Sequence, residues 1–274
     1  MPDEATSDRS TEYYDRLYGS FSEQLYAAIR GEAFGEDIGQ NSWLTADEHR
    51  QFCEWLFLDA SHHVLEIASG SGGPALFMAR TTGCRVTGVD IHEAGVAAGE
   101  AAAADAGLAD RVRFIHHDAQ EPLPWPDESF DCVVCIDSIN HFFARSAVFA
   151  EWHRVLRADG RMLFTDPVTV TGLVRRDEMQ ARSAGMGEFV FASADVDRRL
   201  VAEAGFELDR VEDLSDGIAR VAATWRDARE RHRSDLQKLE GADAFHRLQQ
   251  TLDVASSLAR EKRVSRIAYL ARRP

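Results

Sequence analysis

The sequence predicts an α/β protein: a seven-stranded, mostly parallel sheet with helices on both faces and a helical cap. Two observations carry this. From His63 onward, short apolar runs alternate with amphipathic stretches of helical period, the pattern of a parallel sheet with crossover helices. At the first handover from strand to helix stands EIASGSGGP, Glu66 to Pro74, a cluster of residues without bulky side chains where an open sheet brings its backbone close to a ligand.

The elements follow in order. The first ten residues are polar. TEYYDRLYGSFSEQLYAAIRG then carries Tyr, Leu and Ile at helical spacing, with Thr11 placed to cap it. GEAFGEDIGQNSWLT is rich in Gly and polar residues and is a candidate lid loop. A helix is expected over 46–57, and strands over 63–68, 85–90, 112–117, 130–136, 160–166, 206–212 and 266–271. Helices at 74–81, 93–106, 146–157 and 193–204 separate most of them, the last opened by Ser193 and closed by Gly205. An insertion lies between Pro167 and Ser193, and a long charged helical region runs from Asp216 to Arg263. The expected organisation is a lid segment over 1–58, a cofactor-binding core over 59–167, cap insertions over 168–192 and 216–263, and the rest of the core sheet in 193–215 and 264–274.

Composition narrows the partners. A chain of 274 residues with 45% hydrophobic content buries a sizeable core. Its formal charge of -15 repels a nucleic-acid backbone, so a small or cationic ligand is expected, with the protein acting as monomer or homodimer. No apolar run reaches the ~18 residues of a membrane span, and Met1 to Ser10 is polar and acidic where a secretory leader is basic and then apolar. A cytoplasmic location is expected. Cys132 and Cys135 have C-x-x-C spacing but lie in the strand-like run FDCVVCID, where residues three apart point to opposite faces and neither bridge nor share a metal. No metal site is expected.

Gly70 and Gly72 suit a tight phosphate-type turn, and Pro74 suits a first helical turn. G-x-G-x-x-A here also matches the dinucleotide pattern, a weak signal by itself. Glu66 discriminates: a carboxylate aimed at the turn repels a pyrophosphate and attracts an ammonium. Asp90 ends the next strand, where a carboxylate accepts from ribose hydroxyls. Asp118 and Ala119 end the third, placed to read the amino group and ring nitrogen of adenine. Ammonium, ribose and adenine without phosphate describe S-adenosylmethionine.

With these residues the chain resembles the class I S-adenosylmethionine-dependent methyltransferases. The matching stretches are VLEIASGSGG, the segment from VTGVDIHEAG to IDSINHF, and FAEWHRVLRADGRMLFTDP, covering about residues 60 to 167. The strand at 266–271 is similar to that fold's antiparallel last strand. The resemblance implies a Rossmann-like class I methyltransferase fold, with the cofactor bound by Glu66, Ala68, Gly70, Gly72, Asp90, Ile91, Asp118, Ala119 and Asp137. Ala68 stands where most members have glycine. A finer resemblance is to sarcosine/dimethylglycine and phosphoethanolamine N-methyltransferases. It places Tyr18 as a lid tyrosine, Asp137 and His141 of IDSINHF on an acid and a histidine near the reacting atoms, and Arg182 near a substrate anion. Sugar O-methyltransferases share much of this layout, including a histidine near His141 and an acid near Asp166.

An amine acceptor must lose a proton near neutral pH, which His141 can accept while Asp137 orients the N–H groups. A hydroxyl acceptor relies more on a pair of His141 and Asp166. An amine is favoured, with a sugar or natural-product hydroxyl as the alternative. A binding protein without turnover and a dehydrogenase are more remote. Arg182 either binds a substrate anion or is a solvated helix arginine.

Overall fold

The computed structural model describes residues 24–184, 186 and 189–274; Thr11 and Tyr18 lie outside the described residues, and the helix expected over 11–31 is described from Gln24 onward. Seven strands form one sheet: β1 (His63–Ile67), β2 (Arg85–Asp90), β3 (Val112–His116), β4 (Phe130–Cys135), β5 (Leu156–Val170), β6 (Glu207–Asp213) and β7 (Val264–Arg272). Their spatial order is β3-β2-β1-β4-β5-β7-β6. The first five pair in parallel, and β7 runs antiparallel between β5 and β6. Strand order reverses between β1 and β4, the position at which open α/β sheets leave a crevice at their carboxyl ends.

Alternation along each central strand feeds two cores. Val64, Val86, Cys132 and Val134 join one cluster with Phe52 and the run Ala75–Ala79. Leu65, Ile67, Val89, Val133 and Cys135 join the other with Val148, Phe149 and Trp152. Cys132 and Cys135 therefore lie in opposite cores, both as free thiols, as a period of two requires.

The α-helices among the described residues are α1 (Gln24–Phe34), α2 (Ala46–Trp55), α3 (Gly73–Thr82), α4 (Glu93–Asp105), α5 (Arg145–Val155), α6 (Arg176–Ser183) and α7 (Ala194–Glu203), followed by α8 (Ser215–Arg231), α9 (Arg233–Glu240) and α10 (Ala242–Arg260). Thr45 caps α2, its side chain accepting from the Glu48 amide, and Asp47 and Glu48 occupy the first turn, where acids suit the helix dipole. A third apolar cluster joins Ile29, Trp43, Ile218, Trp225, Phe245 and Leu252, so α1, α8 and α10 pack as a unit of their own. No helix among the described residues is long and apolar enough to cross a membrane.

Boundaries depart from expectation in one instructive place. β5 runs through Pro167 to Val170, beyond the strand end expected at 166. Pairing with β7 shifts register between Asp166 and Thr169, so the missing N–H of Pro167 falls where no ladder bond is made.

Candidate active site

A cavity of about 410 Å³ opens at the carboxyl ends of the parallel strands, within the size range of ligand pockets. Of the residues assigned to the cofactor from sequence, Glu66, Ala68, Gly70, Asp90 and Ile91 line it, as do Asp118, Ala119 and Asp137. Gly72 does not line it but makes the turn possible: its φ is +81°, and a Cβ there would stand 2.3 Å from the Phe114 ring. Ala68 adopts φ +56°, a conformation that favours glycine, which explains the family's preference at this position.

Glu66 is buried, and its Oε2 has no hydrogen-bond partner in the protein. Burial, with Asp90 nearby, pushes its carboxyl up to about 8. Asp90 accepts from the Gly70 amide at 2.7 Å and from the His92 amide at 2.8 Å, so it holds the glycine turn against the end of β2. Burial raises it too. No lysine or arginine pairs with either acid among the described residues, an arrangement that suits a cationic ligand. Asp118 accepts from the Gln120 amide at 2.9 Å, and Ile91 is exposed at the rim.

A pyrophosphate has no place at this turn. A Cβ on Gly73 would lie 2.3 Å from the carbonyl oxygens of both Ile38 and Gly39, so two dipoles of negative sense already cover the start of α3. The observed donors and acceptors suit a sulfonium nucleoside with a free ammonium group. Among the described residues, no group of His, Cys, Asp or Glu could hold a metal ion.

A methyltransferase-domain family profile matches residues 65–164. The 27-O-demethylrifamycin SV methyltransferase of Amycolatopsis mediterranei is 31% identical over 265 residues, 91% of this chain and 94% of that protein. The chain belongs to the class I S-adenosylmethionine-dependent methyltransferases. Sarcosine/dimethylglycine N-methyltransferase of Halorhodospira halochloris is 26% identical over 92% of this methyltransferase and 91% of its own length. The fold also superimposes on phosphoethanolamine N-methyltransferase 2 of Haemonchus contortus, with a TM-score of 0.79 and 18% identity, over 96% of this chain and 60% of that one. The protein is thus an enzyme that uses S-adenosylmethionine to methylate a small molecule.

The acceptor side of this methyltransferase is built differently. His141 ends a 3-10 turn (Ile139–His141) after β4 and lines the cavity with Phe142 and Phe143. Its ring meets Phe189 at 5.2 Å, edge to face. Asp137, at φ +54°, also lines the cavity, but both carboxylate oxygens are engaged. Oδ1 accepts from Arg266 Nε and Thr165 Oγ1, each at 2.7 Å, and Oδ2 accepts from the Trp43 amide at 2.9 Å. Arg266 also donates to Glu48 at 2.7 Å. Burial works against the charge on this guanidinium, and the two carboxylates outweigh it and raise its pKa.

Asp166 is fully buried and does not line the cavity. It accepts from Arg145 Nη1 at 2.8 Å, and Asp197 accepts from the same nitrogen at 2.6 Å. Burial raises Asp166 to about 6, opposed by Arg145 and reinforced by Asp197. Arg182 is also buried, which removes the reading of a solvated helix arginine, and it is not among the cavity's lining. Sequence reasoning passed over Arg145 and Arg266 altogether, although an arginine inside the apolar run RIAYLA was a signal. The loop expected over 31–45 begins only after Phe34, where α1 ends, and Gly39, Asn41 and Ser42, not singled out from the sequence, line the cavity.

Proposed function

We propose that this methyltransferase acts on a hydroxyl group of a largely apolar small molecule, with His141 as general base. The observation that carries this reading is the pairing of acids on the acceptor side. Asp137 and Asp166 are each matched to a buried arginine, so neither offers free charge to an ammonium acceptor. His141 stands instead among phenylalanines. The nearly full-length similarity to an O-methyltransferase supports the same acceptor class. In this reading the insertion around Phe189 and the helices from Ser215 to Arg260 form a cap that selects the acceptor.

The bound cofactor supplies an electrophilic methyl group and a neutral thioether leaving group. Methyl transfer then requires alignment above all. Glu66 and Asp90 fix one end of the reacting pair. The loop bearing Gly39 to Ser42 borders the cavity and excludes water. His141 takes the hydroxyl proton as the oxygen bonds to carbon, while the electron pair of the broken carbon–sulfur bond stays on sulfur. A neutral imidazole serves this purpose near pH 7.

An amine acceptor is the second reading, favoured by the similarity to the sarcosine/dimethylglycine enzyme along nearly the whole chain. The test is methyl transfer from labelled cofactor to matched panels of phenols, sugars and macrolactone alcohols against sarcosine, dimethylglycine and phosphoethanolamine. Hydroxyl acceptors are expected to be labelled, and His141→Ala to lower that rate about 10²- to 10⁴-fold with adenosylhomocysteine affinity retained. Labelling confined to amines rejects the acceptor class. An unchanged rate in His141→Ala rejects the base.

A further inference from the structure

A charged side chain is stacked against two aromatic rings, one of which touches His141. Arg182, near the end of α6, has its guanidinium 5.0 Å from the centre of the Trp43 ring and 5.3 Å from that of Phe189. Its Nη2 donates to the Pro167 carbonyl at 3.3 Å. Both rings present their negative faces to the cation, a contact that strengthens as water is excluded. Each of the two ring-bearing residues has a further tie. The Trp43 amide donates to Asp137, and Phe189 meets the His141 ring at 5.2 Å. The backbone beside Phe189 is fixed by two bonds: the Val190 amide donates to the Asn140 carbonyl at 2.7 Å, and Arg145 Nη2 donates to the Val190 carbonyl at 3.1 Å. Asn140 immediately precedes His141, so the segment carrying Phe189 and the turn carrying His141 share one set of contacts.

We propose that Arg182 is a positioning residue: the stack of Trp43, Arg182 and Phe189 sets the orientation of the His141 imidazole and ties it to the loop that borders the cofactor cavity. Its catalytic meaning rests on His141 being the base; the geometry does not. Arg182 acts through Phe189, since it does not itself line the cavity. The stack spans three stretches of chain: Trp43 precedes α2, Arg182 belongs to α6, and Phe189 follows it. A shift in the loop at 35–45 is thereby felt at the base. The competing role is direct capture of a substrate anion by the same guanidinium, and the two roles separate experimentally.

The test compares Arg182→Met, Arg182→Lys and Phe189→Leu with His141→Ala in the full chain, following the ring carbon–proton resonance of His141 by NMR, identified by its loss in His141→Ala. Calorimetry with adenosylhomocysteine and with inorganic phosphate completes the set. Arg182→Met and Phe189→Leu are expected to move the His141 resonance away from its ring-current-shifted position and to lower methyl transfer about 10²-fold. Adenosylhomocysteine affinity is expected to stay unchanged, with Arg182→Lys intermediate. A His141 resonance unmoved in folded Arg182→Met overturns the proposal, and Arg182→Lys carries the test if Arg182→Met does not fold. Phosphate binding to the cofactor-product complex that disappears in Arg182→Met overturns it in favour of the anion site. If His141→Ala keeps its full rate, the base assignment falls, while the resonance shift still decides the positioning role.

Discussion

Four acids divide the site into two unlike halves. Glu66 and Asp90, at the ends of β1 and β2, have no arginine or lysine beside them among the described residues, and burial raises both. Asp137, just after β4, and Asp166, within β5, are each met by a buried arginine. The comparison teaches how to separate a binding acid from a structural one. An acid left without a cation in a cavity awaits a cationic ligand; an acid already matched by a guanidinium holds elements together.

The largest break in this comparison is expected on the structural side. Arg266→Met leaves Asp137 and the partly buried Glu48 without the buried guanidinium they share and should destabilise the fold by about 3–5 kcal/mol, read from the shift in urea midpoint. Adding Asp137→Asn should recover part of that loss, because it removes one of the stranded charges. A loss no larger than that of a surface salt bridge would mean that the Arg266 network is ornamental.

A smaller effect follows from Asp166. Its carboxyl rises from 3.8 to about 6 in the fold, so ionisation is harder folded than unfolded. The stability it contributes is complete below about pH 4 and declines as pH rises through about 6. Asp166→Asn should therefore gain on the unsubstituted protein across that window, in parallel denaturation series. A difference that does not vary with pH would show that Asp166 ionises as readily in the fold as in the unfolded chain.

These contrasts explain how legible each half is in the sequence. The first five strands are evident as Val- and Ile-bearing runs, and the acids at the carboxyl ends of β1, β2 and β3 stand next to the turns they serve. Glu66, Asp90 and Asp118 were accordingly placed in the cavity without coordinates. Asp137 and Asp166 look the same in sequence, because nothing local announces that Arg266 lies 129 positions away and Arg145 lies 21. The insertion after Pro167 has no strong period. Arg182 there could be read as an anion ligand or a surface charge, but its place between two rings required the fold.

The smallest effect concerns the turn itself. Ala68→Gly relieves a left-handed conformation but adds freedom to the unfolded chain, so a net gain of at most about 1 kcal/mol is expected. Thermal denaturation without ligand reads it; a loss of stability would mean that the Ala68 methyl packs favourably enough to outweigh its strain.

The central claim is that Glu66 is a buried acid kept mostly protonated until an ammonium group arrives. Calorimetry of adenosylhomocysteine binding at pH 7, repeated in buffers of different ionisation enthalpy, tests it directly. With its carboxyl near 8 in the ligand-free protein, Glu66 should release close to one proton per ligand bound, and Glu66→Gln should abolish the release and weaken affinity. Heat independent of the buffer, together with undiminished affinity in Glu66→Gln, would contradict it.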